Sequence, residues 1–114
     1  SDLLEIYEGD CEYFINANGK FWKYDFTIPS LNLIVEFNGT HVHPKPSAPD
    51  NWVHVFTKQS KDVVLEHDRC KIQAAKDKGF DVLVVWSDES LDDQVKKIVE
   101  LINTLYEKKN DNKR

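Results

Sequence analysis

Three acidic residues, Glu12, Asp25 and Glu36, stand at positions that strand pairing would bring side by side. If residues 29–32 form a four-residue loop between two strands, Asp25 lies opposite Glu36 on one face of a sheet. Asn18-Gly19 is a strong hairpin signal, and a turn there places Glu12 opposite Asp25 on its other side. Opposed like charges destabilise a sheet unless a cation or a proton lies between them. Since Mg²⁺ prefers hard oxygen ligands, we expect Asp25 and Glu36 to hold Mg²⁺, with Mn²⁺ as a substitute.

Both of the metal-binding candidates also have a plainer interpretation. Glu36 interrupts an otherwise apolar run, residues 33–37, where a buried and unpaired carboxylate would be costly. It could instead lie at a strand end in contact with water. Asp25 could be a solvated residue on the outer face of its strand. The metal hypothesis therefore depends on the two carboxylates facing each other.

A further acid, Asp68, lies on the apolar side of a predicted helix. The residues of this stripe are Val64, Asp68, Ile72 and Ala75. An acid in such a position is more often functional or paired than free. Its partner could be local, with Arg69 or Lys71 as the candidates, or it could be a histidine supplied by the loop that precedes the helix.

That loop, residues 39–51, carries His41 and His43 directly after Asn38. Histidine titrates near neutral pH and can take a proton from water, so we expect His43 to be the base, with His41 and Asn38 as auxiliary residues. Zinc binding is an alternative, because other potential ligands lie nearby: His54, His67 and Cys70. Their spacing matches no familiar zinc site, and we expect His54 and His67 to be surface or packing residues.

The first half of the chain predicts three antiparallel strands, in residues 11–17, 20–28 and 33–38. The second of them alternates, and four of its apolar residues are expected to point to one face: Trp22, Tyr24, Phe26 and Ile28. Asp25 would then point to the other face.

The second half of the chain predicts two helices with a strand between them. The first helix runs from Ser60 as N-cap to Lys78 and is stopped by Gly79. Residues 80–86 form a buried, Val-rich strand, and Ser90 caps the last helix. The order is therefore β-β-β-α-β-α, an α/β architecture with a mixed sheet flanked by helices.

Length and composition predict one modest domain, residues 1–107, followed by a polar tail or linker, residues 108–114. The apolar runs are too short to cross a membrane, and no secretory leader opens the chain. Two cysteines, Cys11 and Cys70, are too few for a disulfide scaffold, so we expect a cytoplasmic protein. The chain starts at Ser1 and contains no methionine, which is typical of a fragment cut from a longer protein.

Four motifs, in this order, resemble those of the very-short-patch-repair endonucleases, and the resemblance covers about residues 20–90. They are Tyr24-Asp25-Phe26, Val35-Glu36-Phe37-Asn38-Gly39-x-x-x-His43, Glu66-x-Asp68-Arg69 and Gly79-x-x-Val82-Leu83-Val84-Val85-Trp86. A closer likeness is to the catalytic domain of phage-intron homing endonucleases, named for an E-D-x-H-D constellation. The resemblance implies a restriction-endonuclease-like fold and metal-dependent cleavage of double-stranded DNA in a bacterial or phage-infected cell.

The resemblance also implies roles for individual residues. Asp25 matches the metal-binding aspartate, His43 the catalytic histidine, and Asp68 the aspartate that pairs with this histidine. A backbone carbonyl near Phe37 corresponds to a further metal contact, and the implied products carry 5′-phosphate and 3′-hydroxyl ends. The leading glutamate has three candidates, of which the hairpin favours the last: Glu5, Glu8 and Glu12.

The chain departs from the family pattern at three places. The loop after Gly39 contains none of the zinc-binding cysteines of the repair enzymes. Residues 40–42 replace their mismatch-intercalating aromatics, which argues against mismatch specificity. Asn38 stands two residues after Glu36, where the general restriction fold has a lysine, so His43 must supply the base.

The net charge of −5 at pH 7 bears on the partner, because proteins that hold DNA unaided are usually basic. We expect DNA affinity to come from a DNA-binding domain of the same polypeptide that this sequence lacks. Trp52, beside the histidine loop, is a candidate DNA contact, with packing as the alternative. A homodimer on a palindromic target is a further option.

Two other functions are compatible with the same residues. One is a binding module of the restriction fold that has lost catalysis. The other is a metal-dependent phosphodiesterase acting on RNA or a small substrate, which an acidic chain would tolerate.

Overall fold

The computed structural model describes residues 5–8, 15–17 and 19–111. Six strands and two α-helices lie in this part of the chain: β1 (Tyr7–Glu8), β2 (Ile15–Ala17), β3 (Lys20–Trp22), β4 (Phe26–Ile28), β5 (Leu33–Asn38), α1 (Lys61–Asp77), β6 (Asp81–Trp86) and α2 (Leu91–Asp111). Neither of these helices has an apolar stretch long enough to cross a membrane.

The strands form a four-stranded sheet in the order β1-β4-β5-β6 and a separate two-stranded sheet, β2-β3. β5 pairs antiparallel with β4 and parallel with β6, so the larger sheet is mixed. The loop after β4 is the four-residue connection expected, because Ile28 pairs with Leu33 across it. The expected α/β architecture with a mixed sheet and helices is confirmed at this level.

The two helices cover opposite faces of the sheet. On one face, Ile34 belongs to a cluster with Tyr24 and with Ala74 and Ala75 of α1. On the other face, Leu33 and Val35 belong to a cluster with apolar residues of α2, namely Ile98, Leu101, Ile102 and Leu105. Since neighbouring residues of β5 alternate between the clusters, the strand is buried on both sides, which accounts for its continuous apolar run.

The prediction that residues 20–28 form one strand was wrong. The chain leaves β3 after Trp22 and bends at Asp25 before β4 begins, so the alternation of side chains between the two faces is interrupted. Trp22 and Tyr24 consequently pack with α1, whereas Phe26 and Ile28 pack on the α2 face. The apolar residues therefore divide between two clusters, and Thr27, expected on the polar face, is buried opposite Ile34.

The helix limits follow their capping residues. The Ser60 hydroxyl accepts the Val63 N–H at 3.5 Å, and Gly79, at φ +89°, adopts the left-handed conformation just after α1. The Ser90 hydroxyl accepts the Asp93 N–H at 3.3 Å at the start of α2. α2 then continues to Asp111, so the first four residues of the predicted tail, 108–111, are helical. Lys108 and Lys109 suit this position because cations stabilise a helix C-terminus.

Candidate active site

Two hydrogen bonds, here called the Asp25–Glu36 clasp, join Asp25 to the consecutive residues Glu36 and Phe37 of β5. The Asp25 backbone N–H donates to Oε1 of Glu36 at 2.7 Å. The Phe37 backbone N–H donates to Oδ2 of Asp25, also at 2.7 Å. The clasp lies one position beyond the Phe26–Val35 pair, where the two strands would otherwise continue their ladder. Asp25 and Glu36 therefore lie beside each other, joined through the backbone N–H of Asp25 and not through the two carboxylates.

Glu36 is buried, with only 6% of its surface exposed. Burial raises the pKa of its carboxyl, and the nearby Lys71 ammonium opposes that rise. Nζ of Lys71 lies 3.0 Å from Oε2 of Glu36, so the buried carboxylate has a cationic partner. The alternative of a solvated strand-end glutamate is wrong.

Lys71 is itself held by Tyr24, the residue before Asp25. The Tyr24 hydroxyl donates to the Lys71 carbonyl at 2.7 Å, and Nζ of Lys71 lies 5.1 Å from the centre of the Tyr24 ring. Burial, followed by the Glu36 charge, raises the pKa of the Tyr24 phenol to about 12, so the hydroxyl remains a neutral donor. These contacts fix helix α1 against the chain segment that carries Asp25.

His43 and Asp68 form a second pair. Nδ1 of His43 lies 2.9 Å from Oδ2 of Asp68. The histidine is set by a tight turn in which the His43 and Val42 N–H groups both donate to the Gly39 carbonyl, at 2.8 and 3.1 Å. Asp68 has 15% of its side chain exposed and projects from the apolar stripe of α1, as predicted. Of the three candidate partners of Asp68, the histidine is the one that contacts it.

Glu36 and the His43–Asp68 pair line one small cavity. Five polar residues line it, together with Ile72 and Val84: Glu36, Asn38, His43, Asp68 and Lys71. Asp25 joins this group through its hydrogen bond with Glu36. The structure thus brings together five residues that the sequence had singled out, Asp25, Glu36, Asn38, His43 and Asp68, from β5, the loops beside it and α1.

Lys71 is the site residue that the sequence reasoning missed. It was considered as a local partner of Asp68, whereas it pairs with Glu36. A signal was available, because Lys71 lies three residues after Asp68, and residues at that spacing share a helix face. The lysine expected two residues after Glu36 is replaced by Asn38, and the cation at this site comes from the helix instead.

Among residues 5–8, 15–17 and 19–111, no candidate for the leading glutamate lies at this site. Glu12 lies outside the described residues. β2 and β3 pair in the predicted register, with Ile15 opposite Trp22. The strand that pairs with β4, however, is β1. Glu8 pairs with Phe26 and therefore lies on the α2 face, opposite to Asp25 and Glu36. Glu5 accepts a hydrogen bond from the Tyr7 hydroxyl.

Other predicted candidates lie away from the cavity. His41 is exposed and lines a different depression, beside Lys45 and Trp52. Trp52 is half-buried and donates its indole N–H to the Thr40 carbonyl at 3.0 Å, which makes it a packing residue of the loop.

The two remaining histidines have structural contacts, as expected. Nδ1 of His54 accepts the N–H groups of Phe56 and Thr57, and the ring of His67 contacts Trp22. Within residues 5–8, 15–17 and 19–111, no three His, Cys, Asp or Glu side chains converge on a common point. The zinc alternative therefore has no support among these residues.

A two-carboxylate donor set fits Mg²⁺ better than a metal that needs a full protein cage. Mg²⁺ usually takes one or two carboxylates and keeps waters or phosphate oxygens as its other ligands. In Asp25, Oδ2 is aligned by the Phe37 N–H, and Oδ1 takes no part in the clasp. Asp25 is therefore the residue best placed to hold the ion.

Searches of protein-family models, curated proteins and solved structures found no match to this chain. The function must therefore be argued from the site itself.

Proposed function

We propose that this chain is a metal-dependent DNA endonuclease domain that hydrolyses phosphodiester bonds. The observation that carries the proposal is that Glu36, which holds the backbone of Asp25, lines one cavity together with the pair His43–Asp68. Asp25 supplies a carboxylate for a divalent cation, and the pair His43–Asp68 supplies an oriented general base. A phosphodiester needs both functions, because its hydrolysis requires an activated water and neutralisation of developing negative charge.

The metal centre is assigned to Asp25. Mg²⁺ bound there would stabilise the charge that develops on the phosphate and on the leaving oxygen. The backbone N–H of Phe37 holds Oδ2, so the carboxylate keeps one orientation without rearranging when substrate binds. Glu36 accepts the Asp25 backbone N–H and so holds the chain segment that carries this carboxylate.

The base is assigned to His43, with Asp68 as its partner. A hydrogen bond from Nδ1 to Asp68 leaves Nε2 as the ring nitrogen that can take a proton from water. Asp68 then stabilises the imidazolium, since a carboxylate 2.9 Å from the ring favours its charged form. Asp68 is mostly buried, at 15% side-chain exposure, so water screens this interaction only weakly.

The proposed fold class is restriction-endonuclease-like, and the proposed protein is a homing endonuclease of the E-D-x-H-D type. Three features support this. The mixed sheet carries the clasp at the end of the β4–β5 pair away from their connection, the histidine follows β5, and the second aspartate comes from the next helix. The net charge of −5 indicates that a separate DNA-binding part supplies most of the affinity for double-stranded DNA.

A supercoiled-plasmid nicking assay at low salt, with Mg²⁺ or Mn²⁺ and an EDTA control, tests the proposal. We expect metal-dependent nicking by the wild-type chain that is lost in Asp25→Asn and in His43→Ala. His41→Ala is the matched control, because this exposed histidine lies two residues from His43 but outside the cavity. Nicking that survives in both site variants would refute the assignment.

A catalytically inactive binding module is the second candidate. The observation in its favour is that Asn38 occupies the lysine position of the restriction fold, while Lys71 is engaged with Glu36. Binding of Mn²⁺ that depends on Asp25, without nicking at high protein concentration, would support the module over the nuclease. Mn²⁺-dependent nicking would exclude it.

A further inference from the structure

Glu36 stands beside the proposed metal centre with both carboxylate oxygens already engaged. Oε1 accepts the Asp25 N–H at 2.7 Å, and Oε2 lies 3.0 Å from Nζ of Lys71. The Glu36 side chain is only 8% exposed, so neither contact is readily exchanged for water. A carboxylate in this state differs from a typical Mg²⁺ ligand, which presents an oxygen to the ion and its hydration shell.

The charge of Lys71 argues further against Glu36 as a ligand. An Mg²⁺–oxygen bond is about 2.1 Å long, so an ion on Oε2 would lie within a few ångströms of the Lys71 ammonium. Two cations at that separation repel strongly in a partly buried site. Lys71 cannot easily turn away, because its backbone carbonyl accepts the Tyr24 hydroxyl and its Nζ lies over the Tyr24 ring.

Asp25 is held at several points by this arrangement. Its N–H is bonded to Glu36, its Oδ2 is bonded to the Phe37 N–H, and the preceding residue, Tyr24, is bonded to Lys71. The chain bends at Asp25 and makes no strand ladder there, so these contacts replace the backbone pairing that would otherwise fix its position.

We propose that Glu36 and Lys71 are a positioning pair, which fixes Asp25 for the divalent cation while Glu36 itself is not a ligand. The assignment rests on the proposed metal centre and corrects the sequence-based expectation that both carboxylates hold the ion. Asp25 then provides the one carboxylate ligand that this side of the site contributes. The pair acts through Asp25 and makes no contact with the ion.

Mn²⁺ binding to the purified chain, followed by electron paramagnetic resonance, tests the pair without relying on cleavage. The variants are Asp25→Asn, Glu36→Gln and the double variant Glu36→Gln with Lys71→Met. The glutamine side chain of Glu36→Gln retains an oxygen that can accept the Asp25 N–H, and Lys71→Met removes the cation that would otherwise be left without its partner. Circular dichroism of the metal-free proteins establishes that each is folded.

We expect the double variant to bind Mn²⁺ about tenfold more weakly than wild type, because loss of residues that support a ligand costs at least about that much, while Asp25→Asn loses more than about a hundredfold. Glu36→Gln alone should bind more weakly than the double variant, because its unpaired Lys71 repels the ion. A double variant as weak as Asp25→Asn would overturn the inference and leave the metal centre standing. Absence of Mn²⁺ binding by wild type would overturn the inference and the metal centre together.

A crystal structure of the wild-type chain with Mn²⁺ gives the direct answer. An anomalous peak bonded to Asp25, with Glu36 still bonded to the Asp25 N–H and Lys71, is the expected result. A peak at coordination distance from both carboxylates would overturn the inference.

Discussion

Nδ1 of His43 and Oδ2 of Asp68 lie 2.9 Å apart, although 25 residues separate them in the chain. The contact joins the loop after β5 to the middle of α1, so both elements must be in place before it forms. A histidine whose Nδ1 donates to a carboxylate has a defined tautomer and ring orientation, which is what a general base requires. The pair is therefore the most specific structural support for the proposed general base.

Asp68→Asn should reduce nicking by about 10²- to 10⁴-fold, because the amide can stabilise the wrong tautomer and cannot stabilise the imidazolium. The double variant Asp68→Asn with His43→Ala should be no slower than His43→Ala alone, since the two residues act as a unit. Initial nicking rates with Mg²⁺ measure both effects. Additive losses in the double variant would show that Asp68 acts independently of His43.

Much of the local structure could be predicted from the sequence. The loop after β4 and the turn between Ala17 and Lys20 were placed correctly, because turn chemistry and loop length fix strand register. Ser60 and Gly79 set the ends of α1 for equally local reasons. The register of β4 and β5 also predicted that Asp25 and Glu36 would be neighbours, although Asp25 lies just outside β4 and contacts Glu36 through its backbone N–H.

The remaining features depend on contacts that local patterns do not encode. The bend at Asp25 is stabilised by the side chain of Glu36 and the backbone of Phe37, eleven and twelve residues further along the chain. The pairing of Lys71 with Glu36 joins a helix to a strand, and no spacing rule relates residues in such a way. The partner of a charged side chain is therefore less predictable from the sequence than the face of the helix or strand from which it projects.

Lys71→Met should lower the free energy of unfolding by about 2–4 kcal/mol at neutral pH, since it leaves the buried Glu36 carboxylate without its cationic partner. Burial already raises the pKa of Glu36, and Lys71 opposes that rise, so its removal raises the pKa further. A carboxyl whose folded-state pKa is raised loses stability as the pH increases above its ordinary value. The difference in free energy of unfolding between Lys71→Met and wild type should accordingly become smaller as the pH falls.

Urea denaturation at pH about 7 and about 5 measures this difference, with Lys71→Arg as a control that keeps the charge. A deficit for Lys71→Met that is equal at both pH values would contradict the assigned cause. At pH about 7, Lys71→Arg should lose less free energy of unfolding than Lys71→Met, although its different geometry leaves it less stable than wild type.

Gly79→Ala should cost about 1 kcal/mol, because Gly79 ends α1 at φ +89°, a conformation that alanine adopts poorly. The added methyl group would meet no atom within 4 Å, so the cost is conformational and not steric. Gly39→Ala is the matched control: its φ is not positive, and its added methyl would lie 3.8 Å from Val42, an ordinary contact. Equal losses of stability for Gly79→Ala and Gly39→Ala, measured by thermal denaturation, would refute the conformational explanation.

Trp52→Phe should cost about 1 kcal/mol through loss of the indole N–H bond to the Thr40 carbonyl. Because the ring packs within the loop, we expect little change in DNA affinity. Thermal denaturation and a fluorescence-anisotropy titration with duplex DNA separate the two effects. A marked loss of DNA affinity at unchanged stability would restore Trp52 as a DNA contact.

Gln94→Leu should cost about 2–4 kcal/mol, because Gln94 completes the hydrogen bonds of an edge strand. Its Oε1 accepts the Trp86 N–H at 2.7 Å, and its Nε2 donates to the Trp86 carbonyl at 3.0 Å. Gln94 is 6% exposed, and β6 lies at the edge of the sheet, so the side chain takes the place of a further strand. Leucine would fill the space but leave the Trp86 N–H without this partner, while the Trp86 carbonyl would keep only the Glu89 N–H at 3.2 Å. Gln73→Leu, on the exposed side of α1, is the matched control and should change stability by less than about 0.5 kcal/mol. Equal free energies of unfolding for the two variants would show that solvent can replace the bonds of Gln94 and that the end of β6 is open to water.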